Sequence, residues 1–302
     1  MSTTRTTPPG ANHQFGGDWT SAKLEVLAKY LSAYTTALKG APFVKGYIDA
    51  FAGTGYRSLR QTDTAAASDQ LLFPDLAAPA AQEILDGSAR LALKTEPRFD
   101  RYVFVERQDC RCQQLELLRE EFPALAQDIV VHRGDANTVI RDLCEKNWKT
   151  RRAVLFLDPY GMQVEWATIE AVAATKAIDL WLLFPLGIGT VRLLTRSGDI
   201  PAPWRHRLDL LLGTTDWYDA FYRVEAENTL FGVEERVIKA STETIGRYFV
   251  DRLRGVFAGV ADHPKVLRNS TNCPLYLLCF AAGNPRGARI AVKIANHLLD
   301  TV

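Results

Sequence analysis

Four short segments carry side chains whose types and spacing suit the handling of a bound ligand. In Tyr47-Ile48-Asp49-Ala50-Phe51-Ala52-Gly53-Thr54-Gly55 an apolar run ends in an acid and then a glycine-rich turn. Gly53 and Gly55 let the backbone pass close to a ligand, and Asp49 can receive a ligand ammonium group; a plain tight turn would use the same glycines. Glu106 closes Tyr102-Val103-Phe104-Val105. An acid there can hold the two ribose hydroxyls of an adenosine-containing ligand, or it can cap a helix. It follows Asp49 by 57 residues, against about 20 in a compact dinucleotide-binding unit. Asp135, in Arg133-Gly134-Asp135-Ala136-Asn137, can accept from an adenine amino group or serve as an N-cap. In Leu157-Asp158-Pro159-Tyr160-Gly161, Asp158 can accept hydrogen bonds from an amino nucleophile and Tyr160 can stack on a base; a proline-fixed turn is the plainer reading.

Each segment ends a β-rich apolar run. Five such runs occur: 46–51, 102–106, 129–132, 153–157 and 178–184. Helical patterns at 110–121, 138–147 and 165–175 separate most of them. Alternation of this kind predicts βαβ units and a parallel sheet covered on both faces. The continuous apolar runs AVLFL and LWLLF are what strands buried on both sides require. Ahead of them, Thr20 or Ser21 is expected to cap a helix running to about Lys39, with Leu24, Leu27, Leu31, Tyr34 and Leu38 as its buried stripe. At the far end, strands near 266–267 and 275–281 and a helix over 288–299 predict an antiparallel pair at the sheet edge. The expected fold is an α/β, Rossmann-like three-layer sandwich of about seven strands. Residues 1–17 read as a flexible arm, and 18–302 as one domain with insertions at 57–97 and 186–262, the latter largely helical.

The bulk composition is that of a globular protein: 302 residues, 47% hydrophobic, 24% charged and a net charge of +1. That balance does not call for a nucleic-acid partner, although a local basic patch is enough for one. Lys146–Arg152 (KNWKTRR), a short basic run at an expected helix end, reads as complementing the helix dipole. Arg192, Arg196, Arg205, His206 and Arg207 with Trp204 suit phosphate contact and base stacking, or a solvated loop with one packed Trp. Five cysteines and five histidines have no zinc or redox spacing, so no metal site is expected. The first residues contain no apolar signal segment, and no run is long enough to cross a membrane. The expected location is the cytoplasm.

Taken in order at four successive strand ends, these segments resemble the class I S-adenosylmethionine (SAM)-dependent methyltransferases. Asp49, Phe51, Gly53 and Gly55 match the D-x-F-x-G-x-G pattern of the amino-methylating nucleic-acid branch, with Ala52 in the same turn. Glu106, Asp135 and Ala136 match its ribose and adenine positions. Asp158-Pro159-Tyr160 resembles its D-P-P-Y motif with one proline missing, which bears on the target atom. Trp19-x-x-x-Lys23, Tyr30-Leu31, Tyr34, GSARLAL (residues 87–93), YVFVE and LDPYG are similar to the three-Cys-motif partner proteins, over about 17–299. The layout also resembles a 23S rRNA adenine-N6 methyltransferase. These resemblances imply SAM as cofactor, held by Asp49, Phe51, Ala52, Gly53, Gly55, Glu106, Asp135, Ala136 and Lys23. They imply catalysis by Asp158, Pro159 and Tyr160 on a base amino group of DNA or RNA. They also imply a three-cysteine protein as a possible partner. A small-molecule or protein methyltransferase, and a subunit that acts only by complex formation, are the competing readings. A nicotinamide enzyme is disfavoured because Ser58 stands where a third glycine is needed.

Overall fold

The computed structural model describes residues 18–53, 87–229 and 232–302. The 1–17 segment, Thr54, Gly55 and most of the first expected insertion therefore lie outside the described residues.

The chain opens with α1 (Asp18–Ala37) and then alternates. Strands β1 (Val44–Asp49), β2 (Arg101–Glu106), β3 (Ile129–Arg133), β4 (Arg151–Leu157) and β5 (Ile178–Phe184) are all parallel. Between them run α2 (Ser88–Leu93), α3 (Asp109–Glu116), α4 (Leu118–Glu121), α5 (Ala136–Cys144) and α6 (Trp166–Ala174). After β5 come a π-helical turn (Leu186–Val191), α7 (Ala202–Leu212), α8 (Trp217–Phe221), β6 (Tyr222–Thr229), β7 (Gly232–Lys239) and α9 (Thr242–Arg254). The chain closes with β8 (Gly259–Val260), β9 (Lys265–Arg268), β10 (Pro274–Ala282) and α10 (Ala288–Thr301).

The main sheet has the order β3-β2-β1-β4-β5-β10-β8, with β9 also paired to β10. β10 is antiparallel to β5, β8 and β9. This is the Rossmann-like α/β sandwich with a C-terminal antiparallel edge that the sequence predicts. The strands switch direction of progression between β1 and β4, and that switch point is where open α/β sheets bind ligands.

Period-two alternation divides the core in two. Tyr47, Tyr102, Phe104, Val154, Phe156, Trp181, Leu183, Leu278 and Phe280 face α1, α2 and α10. Ile48, Val105, Leu155, Leu157, Leu180, Leu182, Phe184, Leu277 and Cys279 face α5, α6, α7 and α9. Both faces are apolar, so these strands read as unbroken hydrophobic runs.

Three differences from expectation have local causes. The chain is helical already at Asp18, so Thr20 and Ser21 lie inside α1 and Thr20 is buried rather than capping. The 110–121 helix is divided into α3 and α4 at Leu117. The second expected insertion contains helices but also a separate antiparallel pair, β6–β7, with Tyr222 opposite Lys239. Its strands YRVEAENT and GVEERVIK carry many charges, and only the first alternates polar and apolar residues over most of its length, which suits a two-stranded ribbon away from the main sheet. Among the described residues no helix is long and apolar enough to cross a membrane.

Candidate functional site

Asp49 ends β1 level with Phe104 on β2 and Phe156 on β4. Asp158 therefore stands two residues further out, just past the end of β4. Asp49 is fully buried. The Ser88 hydroxyl at the start of α2 donates to its Oδ2 at 2.5 Å, and the Tyr47 hydroxyl donates to the same oxygen at 3.3 Å. The Phe51 N–H donates to Oδ1 at 3.3 Å. Burial pushes its carboxyl up to about 6, with the nearby charge of Asp158 adding to the rise and the Ser88 bond opposing it.

The turn after Asp49 is fixed from both sides. Ala50 N–H donates to Phe156 O, and Ala52 N–H donates to Val105 O, each at 3.2 Å. Gly53 has φ +62, in the left-handed region that favours glycine, and among the described residues no heavy atom lies within 4 Å of where a Cβ would stand. Phe51 packs against the core and Ala52 is buried.

Glu106 is 9% exposed, and its Oε1 accepts from the N–H groups of Arg107 (2.8 Å) and Gln108 (3.0 Å). Next to it, Gln108 Oε1 is buried and has no hydrogen-bond partner. Asp135 is the N-cap of α5 and accepts from Thr138 N–H at 3.1 Å, so the capping role foreseen for it is present. It is exposed, while Ala136 is buried against the core. Gly134 N–H donates to Glu106 O at 3.0 Å and so joins the ends of β2 and β3.

In the fourth segment Pro159 is buried and Tyr160 is 62% exposed. Tyr160 lies within electrostatic reach of Arg111, Asp158 and Glu106. Lys23, on α1, donates to Asp158 Oδ2, and the pair is largely shielded, with side chains 9% and 26% exposed. Lys23 thus meets the catalytic candidate rather than the acids of β1 and β2 with which the resemblance grouped it. Its ammonium sits 5.1 Å from the centre of the Trp19 ring. Trp19 in turn packs on Tyr276 of β10 at 5.5 Å between centroids. Burial pushes the Tyr276 phenol well up, and the charges of Asp158 and Tyr160 add to this. Trp19, Lys23, Asp158, Tyr160 and Tyr276 therefore form one constellation drawn from α1, the β4 loop and β10.

Some of its members had little local signal. Ser88 and Tyr276 sit in ordinary helical and strand patterns, and only tertiary packing brings them to the acids. Asn137 is buried and ties two loops together: it donates to Gln163 O (2.8 Å) and accepts from Glu165 N–H (3.0 Å) and the Thr168 hydroxyl (2.9 Å). The π-helical turn also escaped sequence reading. A Cβ on Gly187 would lie 1.8 Å from Pro274 O, so this turn packs directly on β10. Gly55, expected in the ligand turn, lies outside the described residues. Two cavities, of about 610 and 410 Å³, lie elsewhere and include none of the expected site residues.

No family model and no curated protein matches the chain. Solved structures that resemble it include a Legionella pneumophila protein at 16% identity and TM-score 0.41, covering 78% of this chain and 94% of the other. A provisionally assigned methyltransferase of Thermobifida fusca aligns at 13% and 0.36, over 88% and 83%. A glycopeptide N-methyltransferase, MtfA, bound to S-adenosylhomocysteine, aligns at 11% and 0.28, over 84% and 90%. Likeness this distant says nothing about activity, and the chemistry must be argued from the chain itself.

Proposed function

We propose that this chain is a SAM-dependent methyltransferase acting on an amino group of a nucleic-acid base. The observation that carries the reading is the pair of acids across the switch point. Asp49 is sealed at the end of β1, and Asp158 stands beyond β4 with one oxygen engaged by Lys23. The residues present suit the cofactor. The left-handed turn at Gly53 would pass under its methionine part, and Asp49 would be the acceptor for its ammonium. Glu106 has one oxygen pinned by backbone N–H groups, which orients the other toward a ribose diol. The unpartnered Gln108 Oε1 beside it is an acceptor awaiting a donor. Asp135, which caps α5, would be the acceptor for the adenine amino group.

The bound cofactor would supply a methyl group already activated by its sulfonium, so the protein's task is mainly positioning. Lys23 holds Asp158 Oδ2 and so directs Oδ1 to accept from a substrate amino N–H. That hydrogen bond would orient the amino group for attack, and Asp158 Oδ1 would take the proton that the methylated nitrogen sheds. Tyr160, exposed on the same turn, provides a face for the ring that carries the amine. The D-P-Y segment and the aromatic surroundings favour a base over an aliphatic amine. The resemblance to the three-Cys-motif partner proteins supports action within a complex.

Titration calorimetry of the full chain with S-adenosylhomocysteine, with Gly53→Asp as control, tests the cofactor site. Micromolar binding that is lost in the control is the expected result. No heat with the intact, folded chain would sink the enzyme reading and leave a subunit that acts by complex formation. Methyl transfer from labelled SAM to DNA and RNA pools then tests the substrate class, and labelling of neither would overturn it.

A further inference from the structure

The opposite pole of the sheet holds a second concentration of charge that methyl transfer does not use. The loop from α5 into β4 and the loop from α6 into β5 are neighbours, because Ala153 of β4 pairs with Ile178 of β5. Between them lies a cavity of about 410 Å³ whose lining includes Lys146, Asn147, Trp148, Lys149, Arg152 and Lys176, and no acidic side chain. β4 runs from this cavity to the candidate site, which sets the two about 20 Å apart at roughly 3.3 Å per residue.

Three observations distinguish this cavity from a solvated surface. First, the charge exceeds what the local helices account for. α5 and α6 both end here, and each C-terminus carries about −0.5 of a charge. Four cationic side chains line the cavity, which leaves a surplus of about three. Asp179 is within reach of the Arg152 charge and accepts only from neutral donors, the Tyr30 hydroxyl and the Gly283 N–H, so it offsets one more charge and leaves a surplus of about two. Second, Arg152 is held in place without being used up. Its guanidinium lies 4.0 Å from the centre of the Phe43 ring and donates to Trp148 O and Arg151 O through Nη1, while its buried Nε has no partner. Third, Lys176 has φ +52, a conformation that L side chains rarely adopt. It is the left-handed residue just past the C-cap of α6, and this helix stop sets Lys176 in the lining of the cavity.

We infer that this cavity binds a phosphate group, carried by a nucleic-acid backbone or by a free nucleotide. Lys146, Lys149 and Lys176 supply the charge, the rigid Arg152 a directed N–H, and Trp148 an apolar wall. The site stands independently of the methyltransferase reading.

The test uses the full chain, titrated with pyrophosphate, AMP and a ten-nucleotide single strand, and compared with Lys176→Gly and Lys149→Ser. Lys176→Gly relieves the left-handed backbone, so its Tm should hold or rise. Affinity should nonetheless fall about fivefold or more in each variant, with S-adenosylhomocysteine binding unchanged. If the single strand binds more tightly than AMP, and its salt slope shrinks by about 0.7 for each cation removed, the phosphate belongs to a nucleic acid. Equal binding of AMP and the strand assigns a free nucleotide. Binding of all three ligands that is unaffected in both variants, or absent from the wild-type chain, overturns the inference.

Discussion

Asp49 and Asp179 are two buried acids on the same face of one sheet, and they differ mainly in which end they occupy. Burial raises both carboxyls to about 6. Asp179 stands near the start of β5, where the Tyr30 hydroxyl donates at 2.8 Å and the Gly283 N–H at 3.1 Å. These bonds tie α1 and the end of β10 to the sheet, which is a structural task. Asp49 stands at the end of β1 beside the left-handed glycine turn and within reach of the Asp158 charge. Helix α1 serves both ends, sending Tyr30 to Asp179 and Lys23 to Asp158. A perturbed acid is therefore not enough to mark a site here. Position at the carboxyl edge of the sheet, next to the switch point, separates the two.

The sharpest separation should come from Asp158→Ala. Radiolabelled methyl transfer should fall by about 10³-fold, within the range for a positioned hydrogen-bonding or acid–base group. Cofactor affinity by calorimetry should stay within about threefold; its loss would move Asp158 into the cofactor site. Next is Asp49→Asn. Loss of a charge-assisted bond to an ammonium should weaken S-adenosylhomocysteine binding by about 100-fold. The same change should stabilise the ligand-free chain. An acid held near 6 instead of 3.8 costs the folded state about 3 kcal/mol once ionised. The sign follows from the raised value: below the unfolded value both states are protonated and nothing is lost, and the penalty grows as pH rises through the folded value. Denaturant melts should thus show the variant gaining at pH 7.5 and hardly at all at pH 4. A gain that is largest at low pH would contradict the burial account.

Smaller effects probe the periphery of each region. Tyr160→Ala should raise the substrate KM about tenfold through loss of ring stacking, with cofactor binding unaltered. An equal loss with substrates that lack a ring would show that Tyr160 packs only on protein. Asp179→Asn should leave cofactor affinity within about twofold and, because burial holds this carboxyl near 6 as well, should also gain stability at pH 7.5 more than at pH 4, less the bond that one of its two donors loses. If ligand affinity fell tenfold instead, the two ends of the sheet would be coupled and the comparison would fail.

Much of this was legible in the chain. The apolar runs at β4 and β5, the helical stripe of α1 and the order of strand-end acids led to the sheet and its ligand edge, because buried parallel strands must be apolar on both faces. The ribbon β6–β7 was not legible: its charged, short-period strands give a weak signal, and the surrounding helices set the expectation for the whole stretch. Bonds such as Ser88 to Asp49 and Lys23 to Asp158 join residues 39 and 135 positions apart. No local pattern encodes such pairings.

The sequence by itself determined the alternation of strands and helices and the identity of the groups at each strand end, since periodicity and turn chemistry are local. Only the tertiary structure decided which of those groups meet. It seated Lys23 on Asp158, brought Trp19 to Tyr276, and set Lys176 beside Lys146, Lys149 and Arg152 around one cavity. The reason is physical: the packing of both sheet faces fixes where distant loops end, and that packing depends on the whole core at once.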